Sequence, residues 1–286
     1  MSSSSYKIAL ALSLMAAPLL CALAAGGDQH RPVLTRLAKD PSTSLYTASV
    51  GNGGPGPQLV LDLAGSLVWT TCMPPYRLIP CGGSVSDRLR YTALLKNPKN
   101  TAYYIGVTGV AVNNVQVPLP PGALSLSARQ GTGGGALSTA TPYTALRSDI
   151  YRPVRDAFAE ATSGFARAPA TKPFDLCYQK SALPSTRIGL YTASIDLTLA
   201  GGQNWTIVGS SAVVEVSQDA ACLAFVDMGT TATPAVDHSP AVIIGGHQME
   251  DNLVVFDLEK WQFGYSGLLL GTMTRCGNFD FSMGSH

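Results

Sequence analysis

Apolar and polar residues alternate along most of the chain in the period-two rhythm of half-buried strands. The rhythm is clearest in "TAYYIGVTGVAVNNVQVPLP" (residues 101–120), where Asn113-Asn114 marks a turn between two runs. "STRIGLYTASIDLTLAGGQNWTIVG" (185–209) has the same form around Gly201-Gly202. Shorter runs are "SLYTASV" (44–50), with a hairpin turn over 51–57, and "QLVLDLAGSLVWTTC" (58–72). "GTGGGALSTATPYTAL" (131–146) is a glycine run opening onto a strand; "ACLAFVDMG", "AVIIGG" and "LVVFDLEKWQFGYSG" complete a β-rich second part. The spacing predicts one clear helix. Ser148-Asp149 caps its first turn, Pro153 fits a helix start, and Val154, Ala157, Phe158 and Ala161 form an apolar face before Gly164. The pattern as a whole predicts an all-β protein, and no period of 20 to 50 residues repeats.

The first residues break this rhythm. Lys7 is followed by residues 8–25, apolar except for Ser13, and Ala22-Leu23-Ala24 has the small-x-small form of a cleavage site. The expectation is a signal peptide over residues 1–25 and a secreted, extracellular mature chain with no other membrane-spanning stretch. Of 286 residues, 46% are hydrophobic and 13% charged, which excludes a disordered chain. Without Lys7 the basic and acidic residues balance, and no basic cluster occurs, so nucleic acid is not an expected partner.

One carboxylate stands out. Asp62 lies between the apolar runs Leu59-Val60-Leu61 and Leu67-Val68-Trp69, with Ala64-Gly65-Ser66 close behind it. Burying an unpaired charge is costly, so such an Asp needs partners and often marks a functional site. Other chemistry has little support. Gly51, Gly53 and Gly56 spell G-x-G-x-x-G, but a strand follows where a dinucleotide site needs a helix, and Pro55 interrupts it. His30, His238, His247 and His286 are too scattered to hold a metal with the cysteines. No G-x-S-x-G elbow occurs, and no cofactor is expected. Asn204-Trp205-Thr206 is a glycosylation sequon. Five cysteines remain after the signal peptide, an odd number for an oxidising compartment; Cys72 and Cys81 bracket a proline-rich loop that a local disulfide could close.

The stretch around Asp62 resembles the pepsin-like aspartic peptidases, and within them the plant TAXI-type xylanase-inhibitor branch. Leu61-Asp62 and Trp69 occupy places of the pepsin-like motif, with Leu63-Ala64 where that motif has Thr-Gly. "RPVLTRLAKDPSTSLYTASV", "PYTALRSDIYRPVRDAF", "FDLCYQKSAL", "ACLAFVDM" and "AVIIGGHQMEDNLVVFDLEKWQFGYS" are similar to xylanase inhibitors in particular. The resemblance implies a bilobal acid-protease fold in which each lobe supplies one Asp to a proton-sharing dyad. In this chain Ser138-Thr139-Ala140 stands where the second Asp-Thr/Ser-Gly belongs, so the second Asp is a serine that cannot share a proton with Asp62. Asp62 and Ser138 are 76 positions apart (62 to 138), whereas two full lobes would separate them by well over ~100. The implied division is a truncated N-terminal lobe over 26–90 and an essentially complete C-terminal lobe over 91–286. The resemblance also implies that Cys177 pairs with Cys222 and leaves Cys276 without its partner.

The function implied is inhibition of a microbial endoxylanase, or a related glycoside hydrolase, in plant defence. A secreted monomer in the cell wall would act there by protein–protein contact. Contacts in that family come largely from second-lobe loops, here "QKSALPSTR" around Leu183 and "LLLGTMTRC", where Thr272 stands in place of a histidine. A neutral Thr cannot make the charge-assisted bond of an imidazolium with a carboxylate. Two alternatives stay open. An aspartic endopeptidase would need a second carboxylate facing Asp62, and Asp149, the next acid after Ser138, reads as a helix-start residue. A non-functional truncated relative is the other, supported by the short Asp62–Ser138 interval. If the signal reading is right, N-terminal sequencing of the exported protein will begin at Gly26; a chain retaining Met1 would overturn it.

Overall fold

In the computed structural model the described residues are 37–43, 45–49, 58–61, 63, 89–229 and 240–272. They are mostly β-sheet, as the alternation predicts. The largest sheet has eight strands, in the order Phe225–Asp227, Thr144–Leu146, Val242–Ile244, Gly135–Leu137, Tyr104–Ile105, Arg90–Leu95, Gln262–Tyr265 and Val254–Asp257. It is mixed: Val242–Ile244 runs parallel to Gly135–Leu137 and antiparallel to Thr144–Leu146. These central strands are almost wholly buried, which is why their sequences are continuous apolar runs.

A four-stranded antiparallel sheet follows the order Asn204–Ile207, Ile195–Leu199, Val107–Val112 and Val115–Gln116. Both of its predicted turns are present. Asn113 and Asn114 take φ of 47° and 64°, the left-handed pair that a two-residue hairpin needs and that asparagine tolerates. Gly201 and Gly202, at 99° and 78°, reverse the chain between Ile195–Leu199 and Asn204–Ile207.

The predicted helix, α1, spans Ser148–Ala161 and buries Ile150, Tyr151, Val154 and Phe158. Its start differs from the expectation. Arg147 is the N-cap residue and makes no side-chain cap; the Ser148 hydroxyl donates instead to Asp227, at 2.6 Å. Pro153 lies inside the helix, where its ring removes the donor that the carbonyl of Asp149 would otherwise receive. Apolar burial against Val107–Val112 and Phe225–Asp227 holds the helix in spite of this.

The core is one continuous cluster from Leu63 to Tyr265. At its centre Trp205 stacks on Tyr265 (ring centroids 5.2 Å) and lies 5.7 Å from Phe263, while Phe256 links Phe263 to Tyr103. A smaller cluster surrounds the disulfide Cys177–Cys222, which joins directly opposed residues of the adjacent strands Cys177–Gln179 and Ala220–Leu223. Residues 37–60 contribute a separate antiparallel sheet of Leu37–Lys39, Tyr46–Ser49 and Gln58–Val60, whose outer face leaves Val60 53% exposed. Cys177 and Cys222 are 45 residues apart, so cutting the crosslink frees an unfolded loop worth about 4 kcal/mol in chain entropy. The double variant C177A/C222A should therefore unfold in urea with a stability about 2–4 kcal/mol lower.

Candidate functional site

Two turns meet through one hydroxyl. Strand Gly135–Leu137 is anchored by its parallel neighbour, and as it ends the Ser138 N–H donates to Ile244 O at 3.0 Å. The next residue, Thr139, is buried, and its Oγ1 donates to the carbonyl of Leu61 and accepts the N–H of Leu63 at 3.2 Å. The hydroxyl thus clamps the backbone on both sides of position 62. Asp62 itself lies outside the described residues. Ser138 is buried too, and its hydroxyl accepts the N–H of Thr141 at 3.1 Å within its own turn. On the opposite turn Leu63 offers no hydroxyl; its side chain is buried in the core cluster. The clamp is therefore one-sided, with Thr139 supplying both bonds.

A second junction ties the 37–60 sheet to the rest of the protein. The Glu250 carboxylate accepts from Tyr46 Oη at 2.6 Å and from Lys39 Nζ at 2.8 Å, and its other oxygen lies 3.7 Å from His247 Nδ1. Burial pushes the Glu250 carboxyl up, but the bonds from Lys39 and Tyr46 together with the nearby His247 outweigh it and hold the group below its ordinary value. Burial pushes the His247 imidazole down, against the opposing pull of Glu250 and with the help of Lys39. Tyr46 reaches this place because residue 246 is a glycine: a Cβ there would stand 2.1 Å from Tyr46 Cε2. The short helix α2, Gly246–Met249, that carries this junction is fixed by Gln248, which is fully buried. Its Oε1 accepts from Thr144 N–H and Oγ1, both at 2.8 Å, and its Nε2 donates to Ser211 O (3.0 Å) and Ala224 O (2.9 Å). Sequence reasoning missed Tyr46, Gln248 and Glu250, because the bonds that fix them join separate elements, from 24 positions apart for Gln248 and Ala224 to 204 for Tyr46 and Glu250.

The remaining predicted residues are distributed. Leu183, expected on a partner-binding loop surface, is a core residue with 4% exposure, since the turn Lys180–Ala182 tucks it inward. Any contact through this loop falls to its exposed neighbours. Thr272 ends the helical turn Leu269–Thr272, and its side chain lies outside the described residues, as do Cys72, Cys81 and Cys276. Asp149 is gripped by Arg147 Nε and Nη2 at 2.7 and 2.8 Å, and that pairing holds its carboxyl below the ordinary range. Asn204 is half-buried at the start of an outer strand. No group of three or more metal-binding side chains occurs among the described residues. A cleft of about 490 Å³ opens beside Val107–Val112, but glycines, apolar groups and a few neutral polar side chains line it, and neither residues 61–63 nor 138–140 border it. It offers no acid or base.

Replacing Thr139 by valine strands a buried carbonyl and a buried N–H, so T139V should cost about 1–3 kcal/mol in urea unfolding while T139S stays near wild type. The Glu250–His247 pair sets a pH dependence. Glu250 stabilises fully above its ordinary 4.5 and loses that contribution as pH falls through its lower folded value. Because the fold lowers the His247 imidazole, the unfolded chain takes up the proton more readily as pH falls below the ordinary 6.5, which also favours unfolding. Thermal stability should therefore decline from about pH 7 to about pH 4, and E250Q should flatten the lower part of that slope.

Comparison with known proteins places this geometry. The family described as "Xylanase inhibitor C-terminal" matches residues 102–267. "Chitinase CLP" of Oryza sativa subsp. japonica is 44% identical over 200 residues, covering 67% of this chain and 44% of that protein. "Probable aspartic proteinase GIP2" of Nicotiana benthamiana is 34% identical over 220 residues, 73% of this chain and 48% of its own length. Among solved structures, that of edgp superposes with a TM-score of 0.63 at 38% identity, covering 68% of this chain and 49% of the other. Conglutin gamma from lupine seeds gives 0.56 at 30% identity, with 69% and 46% covered. The chain spans about half the length of the curated relatives it matches. Its strands are those of a pepsin-like architecture, and the chain belongs to the xylanase-inhibitor C-terminal family.

Proposed function

We propose that this protein is a catalytically silent, pepsin-like binding protein of plant defence, exported to the cell wall, where it acts on a microbial endoxylanase or related glycoside hydrolase by protein–protein contact. Residues 26–90 are an incomplete N-terminal lobe and residues 91–286 the C-terminal lobe that presents the contact loops. The observation that carries the silent reading is the Ser138 turn. An aspartic dyad needs one ionised carboxylate to take water's proton and one protonated carboxyl toward the scissile carbonyl. Ser138 brings a neutral hydroxyl to the second-acid turn, and that hydroxyl is bonded to Thr141. The next acid, Asp149, is occupied by Arg147.

The binding reading is supported by the family match, which covers the loop around Leu183. Arg187 and Tyr191, both exposed beside buried Leu183, are the side chains of that loop with the charge and aromatic surface typical of interface anchors. An endopeptidase is favoured only by the printed names of relatives, among them "Probable aspartic proteinase GIP2".

Both readings are tested on the secreted chain. Peptide hydrolysis at acid pH should be absent, and a panel of xylanases should include one whose activity falls on adding the protein. Clear cleavage of a peptide substrate would sink the silent reading; no binding across the panel would sink the inhibitor reading. Since position 272 offers no imidazolium, T272H should strengthen inhibition by roughly 10-fold or more, and only at pH low enough to protonate it.

A further inference from the structure

We infer that Asn204 is an N-glycosylated residue, its glycan seated at the open corner of the four-stranded sheet. The inference relies on the proposed export only for entry into the secretory pathway. Asn204-Trp205-Thr206 is the only N-x-S/T sequence in the chain. In the fold it begins the strand Asn204–Ile207, whose residues alternate: Trp205 and Ile207 are 1% exposed, while Thr206 is exposed and Asn204 half-buried. Acceptor and recognition hydroxyl therefore share the outward side of the strand, and the bulky residue between them points away from it.

Three local features make room for a sugar. The strand is the outermost of its sheet and pairs only with Ile195–Leu199 among the described residues, so one flank has no strand neighbour. The turn before it, Gly201-Gly202, faces open space: a Cβ on either glycine would meet nothing within 4 Å. The Asn204 main chain is held in place, its carbonyl accepting from Arg90 Nη1 at 3.3 Å and Tyr265 Oη at 3.4 Å, while its side-chain amide has no hydrogen-bond partner among the described residues. Asn97 and Asn252 are different. Both are buried, and their Nδ2 atoms donate to backbone carbonyls, so the fold uses those amides structurally.

The order of events also follows from the contacts. In the folded protein the Thr206 hydroxyl donates to buried Asp196 at 2.5 Å and is no longer free to help present the amide. Attachment must precede the pairing of Asn204–Ile207 with Ile195–Leu199, while Trp205 is still outside the core. In the transfer, the Asn204 Nδ2 forms a bond to the anomeric carbon of a lipid-diphosphate-linked oligosaccharide; the lipid diphosphate leaves and the amide loses one proton. Once attached, the glycan covers the unpaired flank of an edge strand that would otherwise be open to another chain.

The test uses the full chain behind an unrelated secretory leader in plant cells, so that entry does not depend on residues 1–25. Total cell and medium pools are both blotted before and after an N-glycosidase. Wild type should shift by the mass of one glycan, T206S should shift likewise, and N204Q and T206V should already run at the treated position. A wild-type band that does not move, while an endogenous glycoprotein in the same extract does, would overturn the inference. A glycosylated band behind the foreign leader but none behind the native N-terminus would instead refute the export reading and leave this one standing.

Discussion

The hydroxyl of Thr139 ties the segment around position 62 to the main body of the fold. It donates to a carbonyl and accepts an amide on either side of position 62, so a single side chain holds the turn that follows the 37–60 sheet. A buried hydroxyl is useful here because it both donates and accepts; an acid or an amine at this place would fill only one of the two roles at neutral pH. The clamp works only if Thr139 is itself immovable. That is supplied by the parallel strands Gly135–Leu137 and Val242–Ile244, both buried, and by the Ile244 carbonyl that receives the Ser138 N–H. The Tyr46–Glu250 contact forms a second point of attachment, and two separated points prevent the small sheet from pivoting about either one.

Local signals were legible in the sequence where the physics is local. The Asn113-Asn114 and Gly201-Gly202 turns could be placed to the residue, because few residues accept a positive φ. The helix face was legible from Val154, Ala157 and Phe158, although Ala161 is exposed and the buried Ile150 and Tyr151 of the first turn were not foreseen. Ser148 has a capping side chain by type, yet Asp227, 79 positions away, captures it, and nothing near Ser148 announces that competitor. Leu183 failed for the same reason. A leucine flanked by Ser, Ala and Pro looks like loop surface until the surrounding sheet shows the hollow it fills. The position of the site was legible through family resemblance, and its wiring through Gln248 and Glu250 was not, since those bonds join positions far apart in the chain.

Half-length relative to its relatives, the chain still carries a continuous core in its described part, with the Trp205–Phe263–Tyr265 stack reaching Phe256 and Tyr103. That core draws on residues 94 to 265, so it depends little on the 37–60 sheet, to which only Leu61 and Leu63 connect it. The architecture thus separates a main body from an attached element, and beside Leu61 and Leu63 the attachment is polar: hydroxyl, carboxylate and ammonium groups share the joining. Polar joints of this kind are sensitive to pH and to solvent in ways that an apolar core is not.

Gln248 carries a consequence for the lifetime of the molecule. Its Nε2 points two hydrogens at two backbone carbonyls, those of Ser211 and Ala224, inside a site with no exposure. Slow hydrolysis of that amide to an acid would exchange the hydrogen-rich nitrogen for an oxygen and set lone pairs against lone pairs in a dry interior. Exclusion of water protects it, so the close packing around α2 also shields the side chain from chemical ageing. A molecule that opens there even briefly exposes this amide to damage that refolding cannot reverse.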